Sequence, residues 1–185
     1  SDTRNAERGL PVVVPFILWP KQREFIQFVL EGWRKSEGGI VEKSRDQGVS
    51  WLASALACWM CLFHRNINVG FGSRKLELVD EIGSPKCLFY KIRFIMSHLP
   101  EEFREGWDVK KNAAWKRITF PSTGSTITGE GGDNVGRGDR AAIYFVDEAA
   151  HLEHPESIDA ALSATTNCRI DMSSVCGTNN PFAMK

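Results

Sequence analysis

The segment from Val41 to Trp51, Val-Glu-Lys-Ser-Arg-Asp-Gln-Gly-Val-Ser-Trp, constrains the fold more than any other part of the chain. Before it, a Gly38-Gly39 turn enters the short apolar pair Ile40-Val41. After it, the run Trp51 to Phe63 is apolar nearly all round and rich in helix formers, which predicts a core helix. Strand, glycine-containing loop and helix, in that order, make the context of a phosphate-binding loop. In such a loop backbone N–H groups cradle an anion at the helix N-terminus. The standard form reads G-x-x-x-x-G-K-S/T, with the lysine on the β/γ oxygens and the last hydroxyl on Mg²⁺. Here Gly48 and Ser50 hold the second-glycine and hydroxyl positions. Val49 stands where the lysine belongs, and Lys43 where the first glycine belongs. Positive charge must come from Lys43 or Arg45 at the front of the loop, or the loop binds no phosphate. The plain alternative is a polar turn joining strand to helix.

A second motif narrows the choice. Ala141-Ala142-Ile143-Tyr144-Phe145-Val146 is an unbroken apolar run that ends in Asp147-Glu148. Such a run suits a strand buried on both faces of a parallel sheet. Two adjacent carboxylates at its end are costly beside a core unless a cation or a substrate uses them. In a Walker B site the first acid holds the Mg²⁺ shell and a following glutamate polarises the attacking water. Loop and acid pair, in this order and about a hundred residues apart, together predict an ATPase.

Composition bounds the rest. The chain of 185 residues, 42% hydrophobic and 25% charged, suits one globular domain with a sizeable core. No apolar run approaches a membrane span, and the N-terminus lacks a signal-peptide layout, so no membrane association is expected. Five cysteines show no framework spacing. The Cys58-x-x-Cys61 pair lies inside the apolar helix with no zinc partner in range, and reads as core packing in a reducing cytosol. Lys and Arg number 23, as do Asp and Glu, which argues against binding nucleic acid by a broad basic face, so any DNA contact must be local or shared among several subunits.

Along the chain, residues 1–14 read as a mobile lead and 15–185 as one domain. Lys21 to Lys35 carries a helical stripe of Phe25, Ile26, Phe28, Val29, Leu30 and Trp33. Ile67 to Gly72 reads as a second buried strand, ending in Ser73-Arg74-Lys75. Leu76 to His98 reads as helix broken at Gly83-Ser84-Pro85. Arg117 to Phe120 and Ser125 to Gly129 alternate about a Pro121 to Gly124 turn, predicting a β-hairpin. A glycine-rich loop with Arg137 and Arg140 follows, then the acid strand, a helix over 155–164 and a last strand from Arg169 to Cys176. Trp107 to Arg117 mixes bases with aromatics as single-strand-gripping surfaces do, although a solvated hairpin explains it as well. Strands alternating with helices predict an α/β three-layer sandwich with a mostly parallel sheet. Its ligand would sit beyond the strands' carboxyl ends, where four polar clusters collect. The strand Ile170 to Cys176 is expected between the loop strand and the acid strand, all parallel.

With these motifs in order, the chain resembles the ATPase domain of the large terminase subunit, the DNA-packaging motor of tailed phages and herpesviruses, over residues 15–181. Its fold is the RecA-like P-loop NTPase of the additional-strand catalytic-glutamate type, here with a small β-hairpin insertion. That family includes a deviant loop of pattern K-S-x-x-x-G-x-S, matched by Lys43-Ser44 through Gly48-Val49-Ser50. The resemblance implies ATP and Mg²⁺ as cofactors. Lys43, Ser44, Arg45, Gln47, Gly48, Val49 and Ser50 would surround the phosphates, and Ser50 and Asp147 would hold the metal. Glu148 would be catalytic, assisted by Arg45 and by Arg137 as an arginine finger on the neighbouring subunit, with Arg140 the competing candidate. Trp19 and Gln22 resemble the adenine-binding motif, and Gly177-Thr178-Asn179 the coupling motif that senses γ-phosphate. Trp19 as a core cap, Gln22 as a solvated helix position and Arg137 as a solvated loop residue are the plain alternatives.

The implied partners are double-stranded DNA, the capsid portal protein and the small terminase subunit. The assembly would be a homo-oligomeric ring in the host cytoplasm, transiently at the procapsid portal vertex; the isolated fragment would be a monomer. Full-length members also carry an RNase H-type nuclease domain. This chain stops at Lys185 and is expected to be a fragment without it, the ATPase domain's last strands either included or cut away. Two other functions compete: a helicase-type single RecA-like domain, and a nucleotide-binding module that does not hydrolyse, which the absent lysine at Val49 would suit.

Overall fold

The structure, a computed structural model, describes residues 4–177 and 182–184. Its strands are β1 (Gly39–Glu42), β2 (Asn68–Ser73), β3 (Ala113–Ala114), β4 (Arg117–Phe120), β5 (Ser125–Gly131), β6 (Ile143–Asp147) and β7 (Arg169–Ser173). The helices α1 (Arg4–Glu7), α2 (Pro20–Lys35), α3 (Val49–Phe63) and α4 (Leu76–Val79) fall in the first half. They are followed by α5 (Leu88–His98), α6 (Glu101–Arg104), α7 (Val109–Asn112) and α8 (Pro155–Thr165).

The seven strands form one sheet in the order β1-β7-β6-β2-β5-β4-β3. From β1 to β5 every neighbour is parallel, and β4 and β3 close the far edge antiparallel. The expected arrangement holds: β7 lies between the loop strand β1 and the acid strand β6. The inner strands β2, β6 and β7 are buried on both faces, and in β6 this is why the sequence reads as a continuous apolar run. On one face Val69, Phe71, Ile127, Phe145, Ile170 and Met172 pack under α2, α3 and α5. On the other, Tyr144 and Val146 pack with Val135, Ile158 and Leu162 of the 132–141 segment and α8.

Local chemistry explains most element ends. Helix α2 opens with Pro20 at its first turn, where a missing N–H costs nothing, and Gln22 Oε1 accepts a hydrogen bond from Trp19 N at 3.0 Å. It stops at Ser36 in the left-handed conformation (φ 57°). Phe28 is partly exposed rather than fully in the stripe. Its ring lies where a Cβ on Gly39 would sit, 2.2 Å away, so that glycine admits α2 to the edge of the sheet. Cys58 and Cys61 are buried in α3, and burial pushes both thiols far above their ordinary range.

Three expectations shift. The final strand ends at Ser173 and not Cys176. The hairpin is part of the main sheet, because β5 runs on through Gly131 and pairs with β2 from Thr126 to Gly131. The helix break is wide, with eight residues free of regular helix between α4 and α5. Asp80 causes it: its buried carboxylate takes both Arg93 guanidinium nitrogens at 2.7 Å and the Lys116 backbone N–H at 2.7 Å, tying this loop to the β3–β4 turn. In the same region Trp107 is buried core, so it is not a nucleic-acid-stacking residue. Trp115 is exposed, with the Lys116 ammonium 4.1 Å from its ring centre.

Candidate nucleotide site

Parallel register brings the carboxyl ends of β1, β7, β6 and β2 to one rim, and the polar clusters after β1, β2 and β6 meet there. Beyond β1 the chain turns through Asp46 (φ 64°) and Gly48 (φ 71°) before α3 begins at Val49. Left-handed residues alternating with ordinary ones turn successive N–H groups into one concavity, and α3 adds its N-terminal dipole. A side chain at Gly48 would be strained by its φ and would crowd Gln22 Nε2 at 3.3 Å. Val49 is buried in the main core, so the position that carries lysine in the standard loop here supplies packing and no charge. Ser44, Arg45 and Gln47 are exposed along the loop.

Asp147 is the hub. Its Oδ2 accepts the Ser50 hydroxyl at 2.7 Å, and its Oδ1 lies 3.3 Å from Lys43 Nζ and accepts the Glu148 N–H at 3.2 Å. Lys43 and Asp147 are both largely buried, so this pair is weakly screened. The donor chemistry fits Mg²⁺. That ion takes one or two hard oxygens from protein, keeps several waters and completes its shell from phosphate. Ser50 and Asp147 are such a set, and among the described residues no cluster of three His, Cys, Asp or Glu forms a cage for another metal.

Glu148 leaves β6 in the left-handed conformation (φ 59°), unusual for a residue with a long side chain, and its carboxylate lies 3.8 Å from His151 Nε2. Sequence reasoning passed over Lys91. It sits on the inner face of α5 and donates to the carbonyls of Lys86 (2.6 Å), Cys87 (3.1 Å) and Pro85 (3.4 Å). Burial lowers its pKa and the negative charge of Asp147 partly restores it, so a second ammonium contributes to the field at the acid. The one signal was a lysine flanked by Leu88, Phe89 and Ile92 in an otherwise apolar stripe.

Trp19 is 56% exposed at the head of α2. Gln22 is buried, with its Nε2 donating to the Gln47 carbonyl at 3.0 Å while Oε1 serves Trp19 N. It therefore clamps α2 to the phosphate loop, leaving one amide hydrogen and one lone pair for a ligand. Arg140 lies at the amino edge of the sheet, where its carbonyl accepts Asn68 Nδ2 at 3.1 Å, at the far end of the strands from the loop. Arg137 is exposed and its Nη2 donates to Ser157 Oγ at 3.1 Å in the first turn of α8, although the Gly136 carbonyl beside it accepts Thr165 Oγ1 at 2.6 Å at the other end of that helix. Its loop is anchored by Glu130, which accepts the Gly136 N–H at 2.6 Å and the Tyr144 hydroxyl at 2.7 Å. Burial, and after it the Glu130 charge, push the Tyr144 pKa far up, so the phenol stays a donor. Thr178 and Asn179 lie outside the described residues. A cavity of about 440 Å³ lies at the amino edge beside Gly38 and Arg169, whose guanidinium pairs with Asp159 and Asp171. It is remote from the loop.

The seven-stranded, mostly parallel sheet, with the loop before α3 and the acid pair ending β6 at its carboxyl rim, has the RecA-like α/β fold of P-loop ATPase domains. Solved structures place it more narrowly, because the fold resembles the ATPase domains of phage large terminases. The bacteriophage HK97 large terminase superposes with a TM-score of 0.71 at 16% identity, over 92% of this chain and 36% of that one. A large terminase from a thermophilic bacteriophage, solved in complex with ADP, gives 0.63 at 17% identity, over 91% and 42%. The ATPase domain of the Thermus phage P74-26 large terminase gives 0.54 at 17% identity, over 78% and 61%. The chain thus spans between about a third and three-fifths of these relatives' lengths. No family model matches the chain, and no curated protein matches it in sequence.

Proposed function

We propose that this chain is the ATP-hydrolysing motor domain of a terminase large subunit, coupling hydrolysis to movement of double-stranded DNA into a procapsid. The observation that carries the reading is the convergence of Ser50, Lys43 and Asp147 within hydrogen-bond and ion-pair reach beside a phosphate-loop concavity. Mg²⁺, held by Ser50 and Asp147, would supply charge neutralisation on the β- and γ-phosphates. The loop N–H groups from Ser44 to Val49 would bind phosphate oxygens, with Lys43 and Arg45 replacing the standard lysine. Trp19 would stack on adenine beside Gln22. Glu148 would take a proton from the attacking water, and Thr178 and Asn179 would relay loss of the γ-phosphate. Arg137, exposed with its guanidinium at the head of α8, would serve the next subunit of a homo-oligomeric ring. The portal protein and the small terminase subunit would be partners at the portal vertex, in the host cytoplasm.

A second reading, a nucleotide-binding module without turnover, is favoured by one feature: the Lys43 ammonium faces Asp147. Glu148→Gln separates the two readings. It should keep ATP binding and lose turnover about 10²-fold or more, because an amide cannot accept a proton. Undiminished turnover in that variant sinks the catalytic assignment. Wild-type protein that binds Mg-ATP without turnover, even when assembled on DNA, establishes the second reading.

A further inference from the structure

Strands β2 and β7 flank the acid strand, and each ends on a buried serine, Ser73 (1% exposed) and Ser173 (0%). Neither hydroxyl has a hydrogen-bond partner among the described residues, whereas the other buried serines bond carbonyls: Ser54 to Ser50 O at 2.8 Å and Ser125 to His64 O at 2.7 Å. A hydroxyl left unpaired in a core is costly, and each such group calls for a partner supplied from outside.

Register shows where Ser73 points. Phe71 pairs with Phe145 and their rings stack at 5.2 Å, on the face covered by α3 and α5. Side chains alternate with period two along a strand. Ser73 and Asp147, paired two residues further on, therefore share that face, the one from which Asp147 meets Ser50. Ser173 follows Met172, the partner of Asp147, and so points to the opposite face.

We propose that Ser73 is a positioning residue of the metal–nucleotide site, its hydroxyl accepting a hydrogen bond from a water in the hydration shell of the Mg²⁺ held by Ser50 and Asp147. The inference rests on the nucleotide reading above. Mg²⁺ keeps several waters in strict octahedral geometry, so a fixed acceptor beside the protein ligands orients the shell. Outer partners of this kind are worth about 10–100-fold in metal affinity.

The test is calorimetric titration of ATP into wild-type protein, Ser73→Ala, Ser73→Thr and Ser173→Ala, in EDTA and across a MgCl₂ series. Ser73→Ala should raise the Mg²⁺ concentration for half-maximal enhancement of ATP binding about 10-fold. It should leave metal-free ATP affinity unchanged and the apo melting temperature undiminished, since it removes a hydroxyl that bonds nothing. Ser73→Thr should restore the Mg²⁺ response, and Ser173→Ala should match wild type. An unshifted response in Ser73→Ala, an equal shift in Ser173→Ala, or an equal loss of metal-free affinity overturns the inference. If wild-type protein binds no ATP with or without Mg²⁺, the nucleotide reading itself has failed.

Discussion

Glu148 holds a backbone conformation that its own side chain disfavours. At φ 59° and ψ 34° it occupies the left-handed region, where a residue with a Cβ loses about 1–2 kcal/mol. Glycine there would relieve that strain and give back about 0.5–1 kcal/mol in chain entropy. Glu148→Gly should therefore raise stability by up to about 1 kcal/mol in urea denaturation, and Glu148→Gln should stay within about 0.5 kcal/mol of wild type. A glycine variant less stable than the glutamine variant would show that the turn is unstrained. The same scale separates the two candidate phosphate cations. Lys43 is largely buried against Asp147, whereas Arg45 is exposed on the loop. Charged hydrogen bonds out of water contribute about 1.5–3 kcal/mol and exposed ones under about 1. Lys43→Ala should then weaken ATP binding about 10-fold or more, and Arg45→Ala less than about 5-fold, as read by calorimetry. Equal losses would return the loop to a shared pair of cations.

At the scale of elements, the segment that carries Arg137 is held by pieces of different strength. The Glu130 contacts are internal, but the tie from the Gly132–Asn134 turn to the head of α8 is an exposed pair, His154 Nδ1 to Asp133 Oδ1 at 2.8 Å. The hydrogen bond to Asp133, then its charge, raise the His154 pKa above the ordinary 6.5. A raised histidine stabilises fully below its unfolded pKa and loses that contribution as pH climbs through the folded value. Amide exchange over 132–137, corrected for its intrinsic pH dependence, should accelerate from pH 6.5 to 8, and His154→Ala should abolish the difference. A pH-independent corrected rate in wild type would remove the latch. Asp80 works at the same scale with higher stakes. It is a buried acid with three donors, and Asp80→Ala would strand Arg93 and the Lys116 N–H. The expected cost is about 3 kcal/mol or more, measured by denaturation; under about 1 kcal/mol, the hairpin is held by something else.

These elements also show what was readable in advance. Helix α3 and strand β6 were legible because burial on all sides writes itself as continuous apolar sequence, and β7 because Ile170 and Met172 alternate with polar residues at the strand period. The extension of β5 beyond Gly129 to Gly131 was hidden, since glycine ordinarily marks a loop. Here the two glycines are strand because α4 and α5 press on them: a Cβ on Gly129 would lie 2.5 Å from Phe89 and 2.6 Å from Val79. The early end of α4 was hidden too, because the Arg93 and Lys116 contacts that draw Asp80 out of the helix lie far along the chain.

For the molecule as a whole, charge sets the expectation. With 23 basic and 23 acidic residues, few phosphates can be neutralised per subunit, and DNA binding by one copy should be weak and salt-sensitive. Arginine fingers contribute about 10³–10⁵ in rate where one subunit serves another. Mixing Arg137→Ala with Glu148→Gln subunits on DNA should recover turnover that neither shows alone. Recovery arises wherever an intact arginine of the second meets an intact site of the first. No recovery in mixed assemblies would leave Arg137 acting in its own subunit or not at all. Sequence alone determined the local pattern: a lysine at the front of a glycine-containing loop between strand and helix, an acid pair at a strand end, their order, and the buried strands between them. These follow from residue type, spacing and periodicity, which are properties of short segments. Only the tertiary structure decided that Lys43 faces Asp147, that Gln22 clamps the loop, that Arg140 lies at the amino end of the sheet and that Ser73 shares a face with Asp147. Each of these depends on which residues parallel register sets side by side, and that pairing joins positions far apart in the chain.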